Sequence, residues 1–489
     1  MKKIILLLAV SFVWINTNAQ ETKNYNLKFK IDGLSDTIIY LANYYGGKQY
    51  YKDTADVDAN GRFAFVGEKE YPEGIYMLVL PDRKSYFELI IAETEFTMES
   101  SKSDLVNSMK ITGSKENKVF YDYMNQIASK QKEARPIKEE MGTTDDEARL
   151  AVLKKKLEGI DKDVKKFQSE FIEANKGTFA AKVFSTTPDP IIPDNLEIPE
   201  GENEDRVKYK YFKSHYLDNI DFSDGRLIRT PIYHNKLDYY IKKLTPQIPD
   251  SINAAADRFI GKAKANDELF KYAVHYVTNK YEKSKIMGMD AVFVHMAEEY
   301  YMKGEAFWVD STNLAKITER AKTLSPLLLG KVAPNIILPD TNGVWQNLHK
   351  VDAKYTILYF WDSGCGHCKK ATPKLKKYYE ENAKSIGLEV FAVGTELELK
   401  EWKGFIKEHK LPWMNISDTP EINKNAWNYI NKGLTTLESL NFRDIYDIYS
   451  TPVVLVLDKD KKILGKRIGV EQIEEFISDM EKREKESNK

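Results

Sequence analysis

Cysteine is almost absent from this sequence, which has only Cys365 and Cys368 among its 489 residues. Structural disulfides join distant elements, and a bridge across two intervening residues closes too short a loop to stabilise a fold. A disulfide scaffold is therefore excluded. The pair is also only half of a usual zinc site, so a metal centre would need two histidines in addition. Thiol chemistry is the favoured role for the two cysteines.

An excess of either charge is also missing, because 73 basic residues balance 74 acidic ones and leave a net charge of -1. That balance provides no electrostatic reason to expect nucleic acid or an anionic membrane as a partner. Beyond residue 20, no apolar run is long enough to span a bilayer. A chain of this length exceeds a single core, so about three domains are expected.

The N-terminus has the pattern of a secretory signal peptide over residues 1–19. Two lysines precede an apolar run over residues 4–15, and the small residue Ala19 ends the segment. The alternative, a membrane anchor, needs roughly twenty apolar residues. A lipoprotein would have a cysteine where this sequence has Gln20. We therefore expect an exported, soluble periplasmic protein that has no stable membrane insertion after removal of the signal.

Residues 22–114 have the pattern of a β-sandwich-like domain or a small barrel. Alternation of apolar and polar residues at its start is typical of a half-buried strand, and the apolar positions are Tyr25, Leu27, Phe29 and Ile31. Further short apolar runs, separated by turn signals, lie at 38–41, 63–66, 75–80, 86–91 and 96–98. The domain has no cysteine, histidine cluster or glycine-rich phosphate loop, so we expect a binding or assembly role.

Residues 115–329 have helical periodicity and predict an all-α domain. Thr144 and Glu147 form a capping-box pattern at the start of a long amphipathic segment. Apolar residues then recur in steps of four and three: Leu153, Leu157, Ile160, Val164, Phe167 and Phe171. This stripe is short for a dimeric coiled coil, and packing within a helical bundle is favoured. Prolines over residues 185–205 predict a surface loop.

Histidines of the helical region are candidate metal ligands, namely His215, His234, His275 and His295. The last begins the sequence His-Met-Ala-Glu-Glu, which lacks the second histidine of a zinc-protease helix. An aromatic-lined surface or core is the favoured environment for these side chains. No metal and no other cofactor is expected.

The two cysteines lie in a region with an α/β pattern. A continuous apolar run over residues 355–360 predicts a buried strand, which leads to Cys365-Gly366-His367-Cys368 and then to a helix. Residues 389–393 predict a neighbouring parallel strand. The order strand, Cys-x-x-Cys, helix, strand indicates a redox-active dithiol.

The position of each cysteine suggests its role. Cys365 lies where the strand meets the helix, so the helix amides and dipole stabilise its thiolate, the species that attacks disulfides. Cys368, one turn deeper, is the resolving thiol. His367 can place a proton or a partial positive charge beside Cys365. Because these effects stabilise the reduced form, we expect a reduction potential above that of a strongly reducing thioredoxin.

Over residues 330–485 the sequence resembles the thioredoxin superfamily, in particular exported TlpA/ResA-like thiol–disulfide oxidoreductases. The matching positions around the dithiol are Phe360, Trp361, Pro373, Thr451 and Pro452. The resemblance implies a thioredoxin fold in which Trp361 and the Gly366-His367 dipeptide tune the dithiol. It also implies that Pro452 is cis and lies against the sulfurs, and that the backbone of Thr451 binds a substrate strand.

Three positions depart from the family pattern. Tyr359 stands where thioredoxins have a buried aspartate, Ala371 where ResA-like reductases have a glutamate, and Gly364 where a tryptophan is common. Proton transfer at Cys368 therefore lacks an evident side-chain helper. Glu396 and water are the remaining candidates.

The expected function is disulfide exchange with protein substrates and an unidentified redox partner, in the reductase, oxidase or isomerase direction. About two thirds of the chain has no visible chemistry, so the alternative is a redox-sensitive binding protein with the thioredoxin-like domain as a latch. A peroxidase is a third hypothesis, but neither cysteine follows the Pro-x-x-x-Thr-x-x-Cys pattern of peroxiredoxins.

Overall fold

A computed structural model describes residues 23–396 and 399–487. The predicted signal peptide over residues 1–19 lies outside the described residues. The described residues form two compact units: one consists of those up to residue 244 together with 261–272, and the other of residues 245–260 together with the described residues from 273 onward. Among the described helices, none combines the length and the apolar character that crossing a bilayer requires.

The N-terminal region is built of strands. They are β1 (Lys23–Asp32), β2 (Thr37–Tyr45), β3 (Lys48–Val57), β4 (Arg62–Lys69), β5 (Gly74–Val79), β6 (Tyr86–Ile91), β7 (Glu95–Ser101) and β8 (Lys110–Thr112). Within the described residues they form two four-stranded sheets, ordered β4–β1–β7–β8 and β3–β2–β5–β6. In β1 the side chains of Tyr25, Leu27, Phe29 and Ile31 are buried, which confirms the predicted alternation. Packing of the two sheets as a sandwich stays a prediction.

Strands β3 and β8 have no counterpart in the sequence prediction. β3 is exposed along most of its length, and Val57 at its end is the buried residue of the strand. It pairs with β2 at the edge of its sheet, where charged residues are common. Because backbone pairing holds such a strand without an apolar face, hydrophobic alternation does not reveal it. β8 spans only Lys110–Thr112.

Helices follow from residue 115. They are α1 (Lys115–Met141), α2 (Glu147–Ala174), α3 (Phe179–Thr186), α4 (Glu204–His215), α5 (Pro231–Lys242), α6 (Pro249–Ala263), α7 (Asp267–Glu282), α8 (Asp290–Met296) and α9 (Ser311–Leu324). The break between α3 and α4 confirms the predicted proline-rich loop. The apolar stripe of α2 packs on α1 and α3, with Phe167 and Phe171 against Tyr123 of α1. The stripe therefore packs within the chain, as predicted.

The capping box predicted at Thr144 is wrong. Helix α2 begins at Glu147, and its N-cap is Asp146. The Asp146 carboxylate accepts hydrogen bonds from the amides of Ala148 and Arg149 at 2.9 and 3.2 Å. A carboxylate at this position satisfies two of the helix's free amides, so Glu147 becomes the first helical residue and not the third.

A mixed sheet with surrounding helices forms the C-terminal region. Its strands are β9 (Ile337–Pro339), β10 (Trp345–Asn347), β11 (Tyr355–Trp361), β12 (Leu388–Gly394), β13 (Met414–Ile416), β14 (Val453–Leu457) and β15 (Ile463–Lys466). Its helices are α10 (Gly366–Ile386), α11 (Leu399–His409), α12 (Pro420–Lys424), α13 (Ala426–Asn431), α14 (Leu437–Leu440), α15 (Phe442–Ile445) and α16 (Ile473–Ser487). The order of the main sheet is β13–β12–β11–β14–β15, with β11 parallel to β12 and antiparallel to β14.

Strand β11 lies at the centre of this sheet and is buried along its whole length. Leu358 and Phe360 face one apolar cluster, while Tyr359 and Trp361 face the other, which also contains Cys368. Both faces of the sheet are covered, so the strand has a continuous apolar sequence and not an alternating one. This central strand positions the Cys-x-x-Cys motif at its carboxyl end.

Candidate active site

Cys365 lies at the N-cap of α10, four residues after the end of β11. The turn between them is closed by two hydrogen bonds. The amide of Cys365 donates to the carbonyl of Asp362 at 3.2 Å, and the amide of Gly364 donates to the Asp362 carboxylate at 2.6 Å. Cys365 is half-buried and Cys368 is buried, and both are free thiols. The sequence therefore located the motif correctly at a strand-to-helix junction.

Two opposing effects act on the thiol of Cys365. Partial burial raises its pKa, but the backbone amides of Cys368 and His367, with the side chains of Thr451 and Cys368, outweigh burial and lower it. The amides belong to the first turn of α10, where backbone N–H groups have no partner within the helix. A thiolate at this position is stabilised, as the attacking role of Cys365 requires.

Cys368 has the opposite environment. Its side chain is fully buried beside Tyr359 and Trp361, and burial raises its pKa to about 12. The nearby sulfur of Cys365 adds to this rise. Cys368 therefore stays protonated at neutral pH and is shielded from solvent, which suits a thiol that acts only after Cys365.

The Thr451–Pro452 peptide bond is cis, as the resemblance implied. The thiol of Cys365 donates a hydrogen bond to the carbonyl oxygen of Thr451 at 3.4 Å. Both residues of the loop are half-buried. The fold thus brings together Cys365 and Thr451, which are 86 residues apart in sequence.

The three predicted tuning residues differ in their contacts. His367 is exposed, and its backbone amide is the group that contributes to lowering the pKa of Cys365. Gly366 is exposed, and a Cβ added to it would meet no atom within 4 Å among the described residues. Trp361 is fully buried and stacks on Tyr359 with ring centroids 6.3 Å apart. Tuning by the His367 ring, Gly366 and Trp361 stays a prediction.

Tyr359, at the position where thioredoxins have an aspartate, does not supply a replacement base. Its hydroxyl pairs with the Thr372 hydroxyl at 2.9 Å, and burial raises its pKa well above that of an exposed tyrosine. A phenol with a raised pKa is neutral at physiological pH, so it cannot accept the proton of Cys368.

Glu396, the remaining side-chain candidate for proton transfer at Cys368, lies against the turn that leads to Cys365. The amide of Ser363 in that turn donates a hydrogen bond to the Glu396 carboxylate, whose two oxygens lie 2.9 and 3.0 Å from the amide nitrogen. Thr395, the preceding residue, donates through its amide to the carbonyl of Trp361 at 2.9 Å. Burial and the charge of Asp362 raise the pKa of Glu396. These contacts hold the turn in place from the end of β12.

Replacing Glu396 by glutamine will increase stability at neutral pH and weaken its dependence on pH. The pKa of Glu396 is raised in the folded state, so the folded state binds the proton more tightly than the unfolded state. Stability from this group is therefore gained as pH falls through the folded pKa and is absent at neutral pH. Urea unfolding across this pH range, followed by tryptophan fluorescence, measures both effects. Glu401→Gln, at an exposed site in α11, is the matched control, and equal pH profiles for E396Q and the parent would contradict the expectation.

Iodoacetamide will modify Cys365 and spare Cys368 in the reduced native protein. The rate will rise with pH as the thiol ionises, with a midpoint below the value of about 8.5 for a free cysteine. Mass spectrometry of peptides identifies the modified residue, and the denatured protein serves as control because both thiols then react alike. Faster modification of Cys368 would contradict the assignment of roles.

Three of the four candidate histidines pair with side chains of the protein. The imidazole of His295 pairs with the carboxylate of Asp257 at 2.9 Å, which raises the pKa of His295, and that of His234 pairs with the Tyr272 hydroxyl at 2.8 Å. His215 pairs with Asp218 at 2.7 Å. Among residues 23–396 and 399–487, no three His, Cys, Asp or Glu side chains are grouped to hold a metal ion.

The central strand, the dithiol at the start of α10 and the facing cis-proline loop together define a thioredoxin-like domain. Residues 329–465 belong to the AhpC/TSA family and are homologous to thiol–disulfide oxidoreductases of the ResA type. Two further segments match families described only as domains of unknown function: residues 25–120 match DUF4369, and residues 158–325 match DUF5106.

Similar proteins carry related names. The "Thiol-disulfide oxidoreductase ResA" of Bacillus cereus is 26% identical over 152 residues, which are 30% of this chain and 76% of that protein. A solved domain of a "possible thiol-disulfide isomerase" from Cytophaga hutchinsonii is 43% identical and covers 33% of this chain and 98% of its own, with a TM-score of 0.28. A thioredoxin-like protein from Bacteroides caccae is 20% identical and covers 60% of this chain and 98% of its own, with a TM-score of 0.42.

Proposed function

We propose that this protein is an exported, periplasmic thiol–disulfide oxidoreductase that exchanges disulfides with protein substrates through Cys365 and Cys368. The contrast between the two thiols carries the proposal. Cys365 is accessible with a lowered pKa, whereas Cys368 is buried with a pKa raised to about 12. An attacking thiol must be reachable and ionised, and a resolving thiol must be protected until a mixed disulfide has formed.

Exchange begins when the Cys365 thiolate attacks one sulfur of a substrate disulfide. A bond forms between Cys365 and the substrate, the substrate's S–S bond breaks, and the leaving thiolate takes up a proton. Cys368 then loses its proton, attacks the Cys365 sulfur and releases the second substrate thiol. Two electrons have passed to the substrate, and a Cys365–Cys368 disulfide remains. The reverse sequence oxidises a substrate dithiol.

The Thr451–Pro452 loop is the proposed binding site for the substrate backbone. The Thr451 carbonyl lies 3.4 Å from the Cys365 sulfur, so a chain bonded to that sulfur runs directly past it. Pro452 has no amide hydrogen, and its ring beside the dithiol would help to keep metal ions away from the sulfurs. His367 and Trp361 are proposed to adjust the reduction potential.

The relatives support this activity, since the ResA proteins are named thiol–disulfide oxidoreductases and match the part of the chain that contains the dithiol. The signal-peptide pattern over residues 1–19 supports export. For the remainder, we infer that the two N-terminal sheets form a sandwich with a binding or assembly role.

The first test is the reduction potential of the Cys365/Cys368 pair, measured by equilibration against glutathione mixtures. A value near or above about -200 mV fits an oxidase or isomerase and supports the role given to His367. A value near about -270 mV or below indicates a reductase supplied by an electron donor, and it would exclude the role given to His367. His367→Ala is the matched variant and should lower the potential. If no reversible dithiol–disulfide couple exists, the proposed function is wrong.

A further inference from the structure

Two residues that follow β12, Thr395 and Glu396, hold the turn that presents Cys365. The amide and the hydroxyl of Thr395 donate hydrogen bonds to the carbonyl of Trp361, where β11 ends, at 2.9 and 3.2 Å. The Glu396 carboxylate accepts a hydrogen bond from the amide of Ser363 within the turn. Both residues lie just beyond the end of β12, so their position depends on contacts outside the strand.

Arg443 of α15 holds the carbonyl of Thr395. The Nε and Nη2 atoms of Arg443 both donate hydrogen bonds to that oxygen, at 3.1 and 2.9 Å. Nη1 and Nη2 also donate to the two carboxylate oxygens of Asp418, at 2.9 and 2.8 Å. The planar guanidinium is a rigid fork, so partners bound to it keep a fixed separation. One side chain therefore joins the segment after β13 to the segment after β12.

The ion pair that fixes Arg443 is buried on its acidic side. The Asp418 side chain is 0% exposed, and the amide group of Asn423 donates to its Oδ2 at 2.6 Å. The guanidinium of Arg443 lies 4.4 Å from the centre of the Phe442 ring, which stacks on Phe360 of β11. Moving the guanidinium would leave a buried carboxylate without its partner, which is costly in the protein interior. The pair therefore holds one geometry.

The contacts that run from Arg443 to the active site are short. Two hydrogen bonds, both through the backbone of Thr395, connect its guanidinium to the last residue of β11. The thiolate of Cys365 is stabilised by the amides of His367 and Cys368, so it depends on how the turn aims the sulfur. Misplacing a reacting group by about 1 Å can cost about a hundredfold in rate. The position of the turn is therefore a chemical variable.

We propose that Arg443 is a positioning residue of the dithiol, which acts through Thr395 to keep the turn before Cys365 in its reactive geometry. Asp418 shares this role, because it holds the guanidinium against the Thr395 carbonyl. The inference rests on the proposed function and extends the machinery of the site to α15 and to the segment after β13. The ion pair then serves the chemistry of the site and not only the stability of the fold.

The test is the pH profile of iodoacetamide modification of Cys365 in two variants. Asp418→Asn/Arg443→Met removes both charges, so no unpaired ion stays buried, and it also removes the contact with Thr395. We expect the midpoint of its profile to rise by about one pH unit, which slows modification roughly tenfold at pH 7. The reduction potential should fall as well, because the thiolate of the reduced form is stabilised less.

Arg443→Lys is the conservative variant. Lysine keeps a positive charge beside Asp418 but lacks the fork that bonds two partners at once. We expect its midpoint to rise as well, by less than in the double variant. A parental midpoint in either variant would overturn the inference, since the first would show that the contact is dispensable and the second that the charge alone suffices.

A second ion pair controls for loss of stability. Arg226 and Asp224, in the other compact unit, form the same forked pair at 2.9 and 2.7 Å, and the Asp224 side chain is 8% exposed. Asp224→Asn/Arg226→Met should lower the resistance to urea and leave the midpoint and the potential of the dithiol unchanged. An equal shift of the midpoint in this control would overturn the positioning role. If the parent has no reversible dithiol–disulfide couple, the proposed function fails instead.

Discussion

Replacing Cys365 by serine will reduce disulfide exchange to the uncatalysed rate, whereas replacing Cys368 by serine will trap a covalent complex with the substrate. Cys365 is the thiol that combines access with a lowered pKa, so its loss removes the attacking species. Without Cys368, attack still occurs, but no second thiol lies behind Cys365 to break the mixed disulfide. Non-reducing gel electrophoresis and intact mass measurement with a disulfide-bonded protein show the complex directly.

The double variant Cys365→Ser/Cys368→Ser is the control, since it should form no reducible complex. This experiment also separates the enzyme from the alternative of a redox-sensitive binding protein. A binding protein would retain its partner without Cys365 and would show no trapped species with Cys368→Ser. Complex formation through Cys368 in the Cys365→Ser protein would reverse the assigned roles. We do not expect that result, because Cys368 is buried and its pKa is raised.

Replacing Asp447 by asparagine will destabilise the second unit by about 2–3 kcal/mol, below the range of about 3–5 kcal/mol for breaking a fully buried ion pair. Asp447 is buried between Arg320 and Arg467, and these arginines are 38% and 53% exposed at their side chains, so solvent recovers part of the loss. The residue has φ +57°, a left-handed conformation that asparagine also tolerates. The substitution therefore removes the charge and keeps the backbone preference.

Urea unfolding followed by tryptophan fluorescence measures the loss, because every tryptophan after Trp14 lies between residues 308 and 427. Amide hydrogen exchange should also increase over residues 446–453, where the pair holds the segment before β14. Asp36→Asn is a matched control, since Asp36 has φ +45° and is exposed. We expect that variant to remain within about 0.5 kcal/mol of the parent. An equally small effect at Asp447 would show that the arginine contacts contribute little.

Much of the fold follows from local patterns. The alternation over Tyr25 to Ile31 predicts β1, and the unbroken apolar run at 355–360 predicts β11, because each pattern reflects which faces of a strand are covered. Hydrophobic patterning does not predict β3, because most of its side chains are exposed and so neither face of the strand needs to be apolar. The capping-box pattern also fails at the start of α2, where the Asp146 carboxylate accepts hydrogen bonds from the amides of Ala148 and Arg149 and so starts the helix two residues later than a cap at Thr144 would.

The placement of Cys365 at the start of a helix, with Cys368 one turn deeper and buried, was predictable from the chain alone, because it depends only on the strand-to-helix junction and the spacing of the motif. The contacts around the two cysteines were not predictable from the sequence, because they depend on tertiary packing. The Ser363 contact of Glu396 spans 33 residues, and the Arg320–Asp447 pair spans 127. Contacts between residues so far apart in sequence produce no periodicity or motif spacing from which they could be predicted. They arise only when packing of the sheet brings distant loops to the same edge.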